Sequence, residues 1–326
     1  MKQIIVDTLG ADNGSLSIVN GTLRALKEIP DISVVFVGVK KEIEDAVKTS
    51  SVDPERISII HTDEFVPDDA APTCVFRGSD NTSMVMALKE LKDNNNIIGM
   101  LSAGNTGALL VGTIFRLGLV PGLRTPVLST MIPCKEEGML CLVDCGANTD
   151  CTPEDLKRFA IMGNIFSQIH ENIESPKVAL MSVGRTPHKG NTLIKEAYPL
   201  IESLPLNFIG NIEGNDLVNS EADVIVTDGF TGNVLLKNTE SAGMAAISIV
   251  ESTVSDESLR KEITDKLYRM FAFNDRGGAV FLGTQKTVVK MHGCANEDTA
   301  YSCVNLLFNL ESKDFAHKVA DAIKSI

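Results

Sequence analysis

The run Ile97-Ile98-Gly99-Met100-Leu101-Ser102-Ala103-Gly104-Asn105-Thr106-Gly107 decides the fold. Its first six positions carry no charge and no apolar–polar alternation, the pattern of a strand covered on both faces. The Gly-Asn-Thr-Gly stretch behind them makes a tight turn and delivers free backbone N–H groups to a helix start. One strand buried on both sides needs neighbours of the same kind, and the chain supplies them.

Further strand candidates fall at residues 3–7, 33–37, 57–60, 127–131, 139–144, 177–181, 207–209, 222–227 and 287–290, with amphipathic windows between most of them. That alternation predicts an α/β protein with a mostly parallel sheet flanked by helices. Residues 1–326 read as a single α/β domain, with two lobes around a cleft as the other organisation. Thr152-Pro153-Glu154-Asp155 combines an N-cap, a first-turn proline and two acids at the positive helix end. Leu156, Phe159, Ala160, Gly163 and Phe166 follow as its buried stripe. Long helices are expected over residues 232–254 and 256–270, and one C-terminal helix over 305–323. Residues 64–79 hold two prolines and no period, and read as a surface loop.

Composition narrows the function classes. With 30 basic against 43 acidic side chains the net charge is −13, which disfavours nucleic acid and anionic membranes as partners. Seven scattered cysteines without a C-x-x-C pair suggest a reduced compartment and no metal site. A cytoplasmic location is expected, since no stretch approaches the ~20 apolar residues of a membrane span.

Four turns rich in glycine and polar residues sit at expected strand ends, where open α/β sheets bind ligands. They are residues 7–12, 102–107, 144–148 and 228–233. None has Walker or dinucleotide-fingerprint spacing, so a nucleotide enzyme is disfavoured. Lys189, beside Gly190 in a fifth turn, is a candidate phosphate clamp, and Arg185 a second one.

The chain resembles the bacterial phosphate acyltransferases of phospholipid synthesis. The resemblance rests on S-A-G-N-T-G-A at 102–108, D-x-G-A-N at 144–148, F-I-G-N-x-E-G at 208–214 and T-D-G-F-T-G-N at 227–233. G-G-A-x-x-L-G at 277–283 and K-x-H-G at 290–293 complete it. It implies a three-layer α/β/α fold like that of isocitrate and isopropylmalate dehydrogenases, a homodimer, no organic cofactor, and acyl transfer from a thioester to inorganic phosphate. Departures from the pattern are Asn13 for a histidine, Gly78, Ser79 and Asp80 where basic residues are common beside Arg77, Asn215 for G-R-D, and Cys294 for a serine. Residues 255–274 are short and charged where the family carries an apolar hairpin. These changes weaken membrane contact, leaving it at most peripheral. They also leave the donor open between acyl carrier protein, coenzyme A and another thioester, as in a glycine-reductase-type component.

The expected chemistry assigns phosphate to Lys189 with the amides of Gly104, Thr106 and Gly107 and the side chain of Asn105. Asn148, Gly232 and Asn233 complete the pocket and orient the carbonyl, Asp228 is a candidate general base, and His292 protonates the leaving thiolate. Cys145 reads as a small buried residue. Two other classes remain: a non-catalytic paralogue that binds phosphate or acyl groups, and an oxidoreductase, for which no dicarboxylate or cofactor site is visible.

Overall fold

The computed structural model describes residues 1–76, 79–134, 138–271 and 278–325. Arg77, Gly78 and Gly277, drawn on above, lie outside them. The chain divides into two compact units, residues 1–126 with 274–326, and residues 127–273.

In the first unit the strands are β1 (Lys2–Asp7), β2 (Ile32–Gly38), β3 (Ile57–His61), β4 (Ile97–Ser102), β10 (Ala279–Leu282) and β11 (Thr287–Lys290). They lie in the order β3-β2-β1-β4-β11-β10. All pair in parallel except β10, which runs antiparallel to β11. The helices α1 (Ser15–Glu28), α2 (Lys40–Thr49), α3 (Ser83–Asp93), α4 (Thr106–Gly112), α9 (Glu297–Ser312) and α10 (Phe315–Lys324) cover them. Gly21 of α1 is a packing requirement: a Cβ there would sit 2.2 Å from the Glu297 carbonyl oxygen of α9.

The second unit contains β5 (Val127–Cys134), β6 (Gly138–Val143), β7 (Lys177–Met181), β8 (Asn207–Ile212) and β9 (Val224–Val226). Their order is β5-β6-β9-β7-β8, parallel apart from the β5–β6 pair. Around them lie α5 (Pro153–His170), α6 (Thr192–Glu202), α7 (Gly229–Thr253) and α8 (Glu257–Phe271). The predominance of parallel pairs bears out the α/β expectation, and each of the ten expected strands is present with ends shifted by a few residues.

Two readings need correction. β10 was not expected as a strand, because Ala279-Val280-Phe281-Leu282 is too short to show a period. The C-terminal helix is two helices, α9 and α10, broken at Asp314, whose φ of 57° is left-handed. Its apolar residues Leu306, Leu307, Leu310, Phe315 and Val319 are all buried, as expected. Most of the described residues between 64 and 79 are exposed, as expected of a surface segment. The stretch also includes a 3-10 turn at Pro72–Phe76, and Val66, Val75 and Ser79 are buried.

At α5 the local signals hold in full. The Thr152 hydroxyl accepts from the Asp155 amide at 3.3 Å, and the Asp155 carboxylate accepts from the Thr152 amide at 2.9 Å. Thr152→Ala removes this reciprocal cap, so urea unfolding should show a loss of about 1 kcal/mol, with little change in the native far-UV spectrum.

Candidate functional site

In the first unit the Gly104 turn is built by side chains that consume its local amides. Ser102 Oγ donates to Asp7 at 2.7 Å and accepts from the Gly104 amide at 3.2 Å. Asn105 caps α4, its Oδ1 accepting from the Ala108 amide at 2.9 Å. Its Nδ2 donates to the carbonyls of Pro67, Asp68 and Ala70. The carboxamide of Asn105 is thereby engaged, and it pins the 67–70 segment beside the turn. Among the described residues, the Thr106 and Gly107 amides make no hydrogen bond.

Beside this turn runs the end of β11. Lys290 is buried, and its Nζ donates to Ala103 O at 3.0 Å and to Met291 O. The Met291 amide donates to Ser102 O at 2.9 Å. The K-x-H-G and S-A-G-N-T-G motifs are thus one assembly. His292 follows, half-buried, with Nδ1 3.0 Å from Cys294 Sγ. Asn13, the residue standing in for a histidine, donates to the carbonyls of Cys294 and Ala295, and the Asp12 amide donates to Gly293 O. The first strand-end turn therefore holds the histidine turn in place.

Two charges buried here were missed in the sequence. Burial pushes Asp7 up to about 6, against hydrogen bonds from Ser102 and the Leu9 amide and the attraction of Lys290. Burial also pushes Lys290 down to about 8, opposed by Asp68, Cys303, Asp7 and Asp12. The signal for Lys290 was available, since a lysine ending an apolar strand before His-Gly has no solvent to reach.

The second unit has its own set. Asp144 is fully buried, and burial raises its pKa against the donors around it. Its Oδ1 accepts from the amides of Leu128, Gly146 and Ala147, and its Oδ2 from the amide and Nδ2 of Asn148 at 2.7 Å each. The 144–148 turn is wound around its own carboxylate, so its amides are not free for a ligand as expected. Asp228 caps α7, accepting from the Thr231 amide and hydroxyl at 2.8 Å each. That engagement favours an anchoring part over the general-base reading. The Gly229 amide donates to Asn148 O at 2.7 Å, and Asn233 lies over Gly146, so Asn148, Asp228, Gly232 and Asn233 do come together. Gly232 is there for packing, because a Cβ would stand 1.9 Å from the Asp144 carbonyl oxygen.

Lys189 is exposed, its stem laid against Gly184, and it forms no ion pair among the described residues. Arg185 pairs with Asp216 at 2.6 Å. Gly190 takes φ of 111°, a left-handed conformation that lets the chain turn over Ser182 into α6, where Asn191 caps Ile194. Between this turn and the start of α7 lies a 350 Å³ cavity bounded by Met181, Gly190, Ile194, Asp228, Val234 and Leu235. Cys145 is buried and its thiol is pushed well up by that burial, which bears out its reading as a core residue.

A family model described as fatty acid synthesis protein matches residues 2–318. A phosphate acyltransferase from Clostridioides difficile is 37% identical over 310 residues, covering 93% of this chain and 91% of that one. Those of Streptococcus pneumoniae and Bacillus subtilis are 36% and 32% identical, each covering at least 98% of both chains. This chain belongs to the phosphate acyltransferase family. The fold is also that of more distant solved structures. A phosphotransacetylase from Streptococcus pyogenes superposes with a TM-score of 0.66 at 16% identity, over 96% of this chain and 94% of that one. A branched-chain phosphotransacylase from Enterococcus faecalis gives 0.60 at 14% identity, over 94% and 98%. Family membership makes the chain a transferase, and among the described residues no helix is long and apolar enough to cross a membrane.

Two consequences can be measured. Between about pH 4 and 6 the unfolded chain has released the Asp7 proton while the folded chain keeps it, so stability falls as pH rises through that window. Asp7→Asn abolishes this contribution, and the difference between wild type and variant in urea unfolding should change by on the order of 3 kcal/mol between pH 4 and pH 7. Separately, Gly232→Ala should lower stability by roughly 1–3 kcal/mol, because the Asp144 carbonyl has to be displaced.

Proposed function

We propose that the chain transfers an acyl group from an acyl thioester to inorganic phosphate, with Lys189 as the phosphate-holding cation. The observation that carries this reading is the exposed ammonium of Lys189, which forms no ion pair among the described residues, on a turn that borders an apolar cavity of 350 Å³. Met181, Ile194, Val234 and Leu235 offer that cavity to the acyl chain, and Asn233 orients the thioester carbonyl. A phosphate oxygen attacks the carbonyl carbon, the C–S bond breaks, and the leaving thiolate takes up a proton from solvent. Phosphate at neutral pH is already an anionic nucleophile, so no general base is required, in keeping with the engagement of Asp228 as a cap. In the first unit, taken by itself, Thr106 and Gly107 leave two backbone amides open to an anion. Asn148, Gly104 and Gly232 shape the turns, and Asn105 holds its own.

The relatives named phosphate acyltransferase support this reading. Acyl carrier protein is the proposed donor and acyl-phosphate for phospholipid synthesis the product, made in the cytoplasm. A homodimer is supported by α7, whose Val234, Met244 and Ile249 stand at least half exposed. Over residues 242–250 Gly243 and Ile247 are buried, whereas Met244 and Ile249 are exposed, which leaves part of that apolar face for a partner copy.

Purified protein mixed with phosphate and acyl thioesters, with product trapped by hydroxylamine, tests the reaction. Acyl hydroxamate should form fastest with acyl carrier protein donors, and a stronger response to acyl-coenzyme A would reassign the donor. Lys189→Ala should cut the rate by about 100-fold or more while leaving thermal unfolding unchanged. Full activity in that variant would remove Lys189 from the chemistry.

A further inference from the structure

We propose that Cys294 is a covalent capture site for low-molecular-weight thiols, activated by His292 and filled by thiol–disulfide exchange. The geometry is that of a base-paired nucleophile. His292 Nδ1 receives the Cys294 backbone N–H at 3.3 Å, which fixes this nitrogen as the lone-pair side of the imidazole. Cys294 Sγ lies 3.0 Å from the same nitrogen. The thiol proton is therefore placed on a base, and proton transfer yields a thiolate beside an imidazolium. Cys294 also stands two residues before the α9 N-cap Asn296, where the helix dipole favours negative charge. Asp12, which faces Gly293, and the first-turn acids Glu297 and Asp298 oppose this, but none makes the direct sulfur contact that the imidazole makes.

Access separates this thiol from the other six. Cys294 is exposed, whereas Cys134, Cys141, Cys145 and Cys303 are buried and Cys74 and Cys151 are half-buried. Burial holds the Cys141, Cys151 and Cys303 thiols at about 12, so they stay protonated. The reactive form of a cysteine is the thiolate, and its reaction needs an open path. Both conditions meet at Cys294.

The step balances with a small-molecule disulfide as co-reactant. The Cys294 thiolate attacks one sulfur of the disulfide, a Cys294–S–S–R bond forms, and the original S–S bond breaks. The released thiolate takes the proton held by the His292 imidazolium. The adduct then covers His292. Its effect on acyl transfer rests on the proton-donor part expected of His292 from the sequence, whereas the capture step does not.

Glutathione disulfide is the probe, with peptide mass spectrometry locating the adduct. The expected result is a single glutathione adduct on Cys294 before any other cysteine reacts, and its formation slowed about tenfold or more in His292→Gln. Without any variant, one equivalent of iodoacetamide should label Cys294 in preference to the other six. Labelling spread evenly over the cysteines, or an adduct rate unaffected by His292→Gln, would overturn the assignment. Cys294→Ser keeps a hydroxyl against Nδ1, so it should transfer acyl groups at the wild-type rate and resist glutathione disulfide. Wild-type protein should lose activity as the adduct forms and regain it with dithiothreitol. An adduct on Cys294 with transfer undiminished would confirm the capture site and remove His292 from the chemistry.

Discussion

Each turn that leaves the carboxyl end of a parallel strand carries backbone N–H groups that neither sheet nor helix reaches, and those groups have to be paired. Here short polar side chains do most of the pairing. Asp144 collects four amides and a carboxamide, Asp228 caps α7, and Asn105, Asn191 and Asn296 cap α4, α6 and α9. This constraint sets where strands end, where helices start, and which amides are left for a ligand.

The polar turns are therefore framework first and ligand site second. A carboxylate as buried as Asp144 is costly unless it is hydrogen-bonded, and the winding of residues 144–148 around it supplies those bonds. Asp7 and Lys290 follow the same logic in the first unit. Each is shifted towards its neutral form by burial, and each is held by hydroxyl, amide or carbonyl partners. Among the described residues, the framework leaves the Thr106 and Gly107 amides and the ammonium of Lys189 without a hydrogen-bond or ion-pair partner.

Packing tightens this arrangement. Gly232 and Gly229 allow α7 to start directly against the 144–148 turn, where a Cβ would meet backbone at 1.9 and 2.7 Å. Gly278 likewise accepts the Lys290 carbonyl, 2.4 Å from where its Cβ would lie. Glycine at these positions reflects contact between backbones, so the motifs that contain them record the fold as much as the substrate.

Alone, the sequence determined the strand–helix alternation, the buried strands such as residues 97–102, the α5 start at Thr152, and the family, because each is written in neighbouring residues as a period, a cap or a motif. It also pointed to Lys189 and to a core place for Cys145. Tertiary structure alone decided that Asn105 and Asp228 are caps, that Arg185 pairs with Asp216, and that Asp7 on β1 and Lys290 on β11 are buried within electrostatic reach of each other. The physical reason is that a side chain's hydrogen-bond partner and its loss of solvent arise between residues far apart in the chain. Composition and spacing record which groups are present, and only packing assigns each polar group to a neighbour or to a ligand.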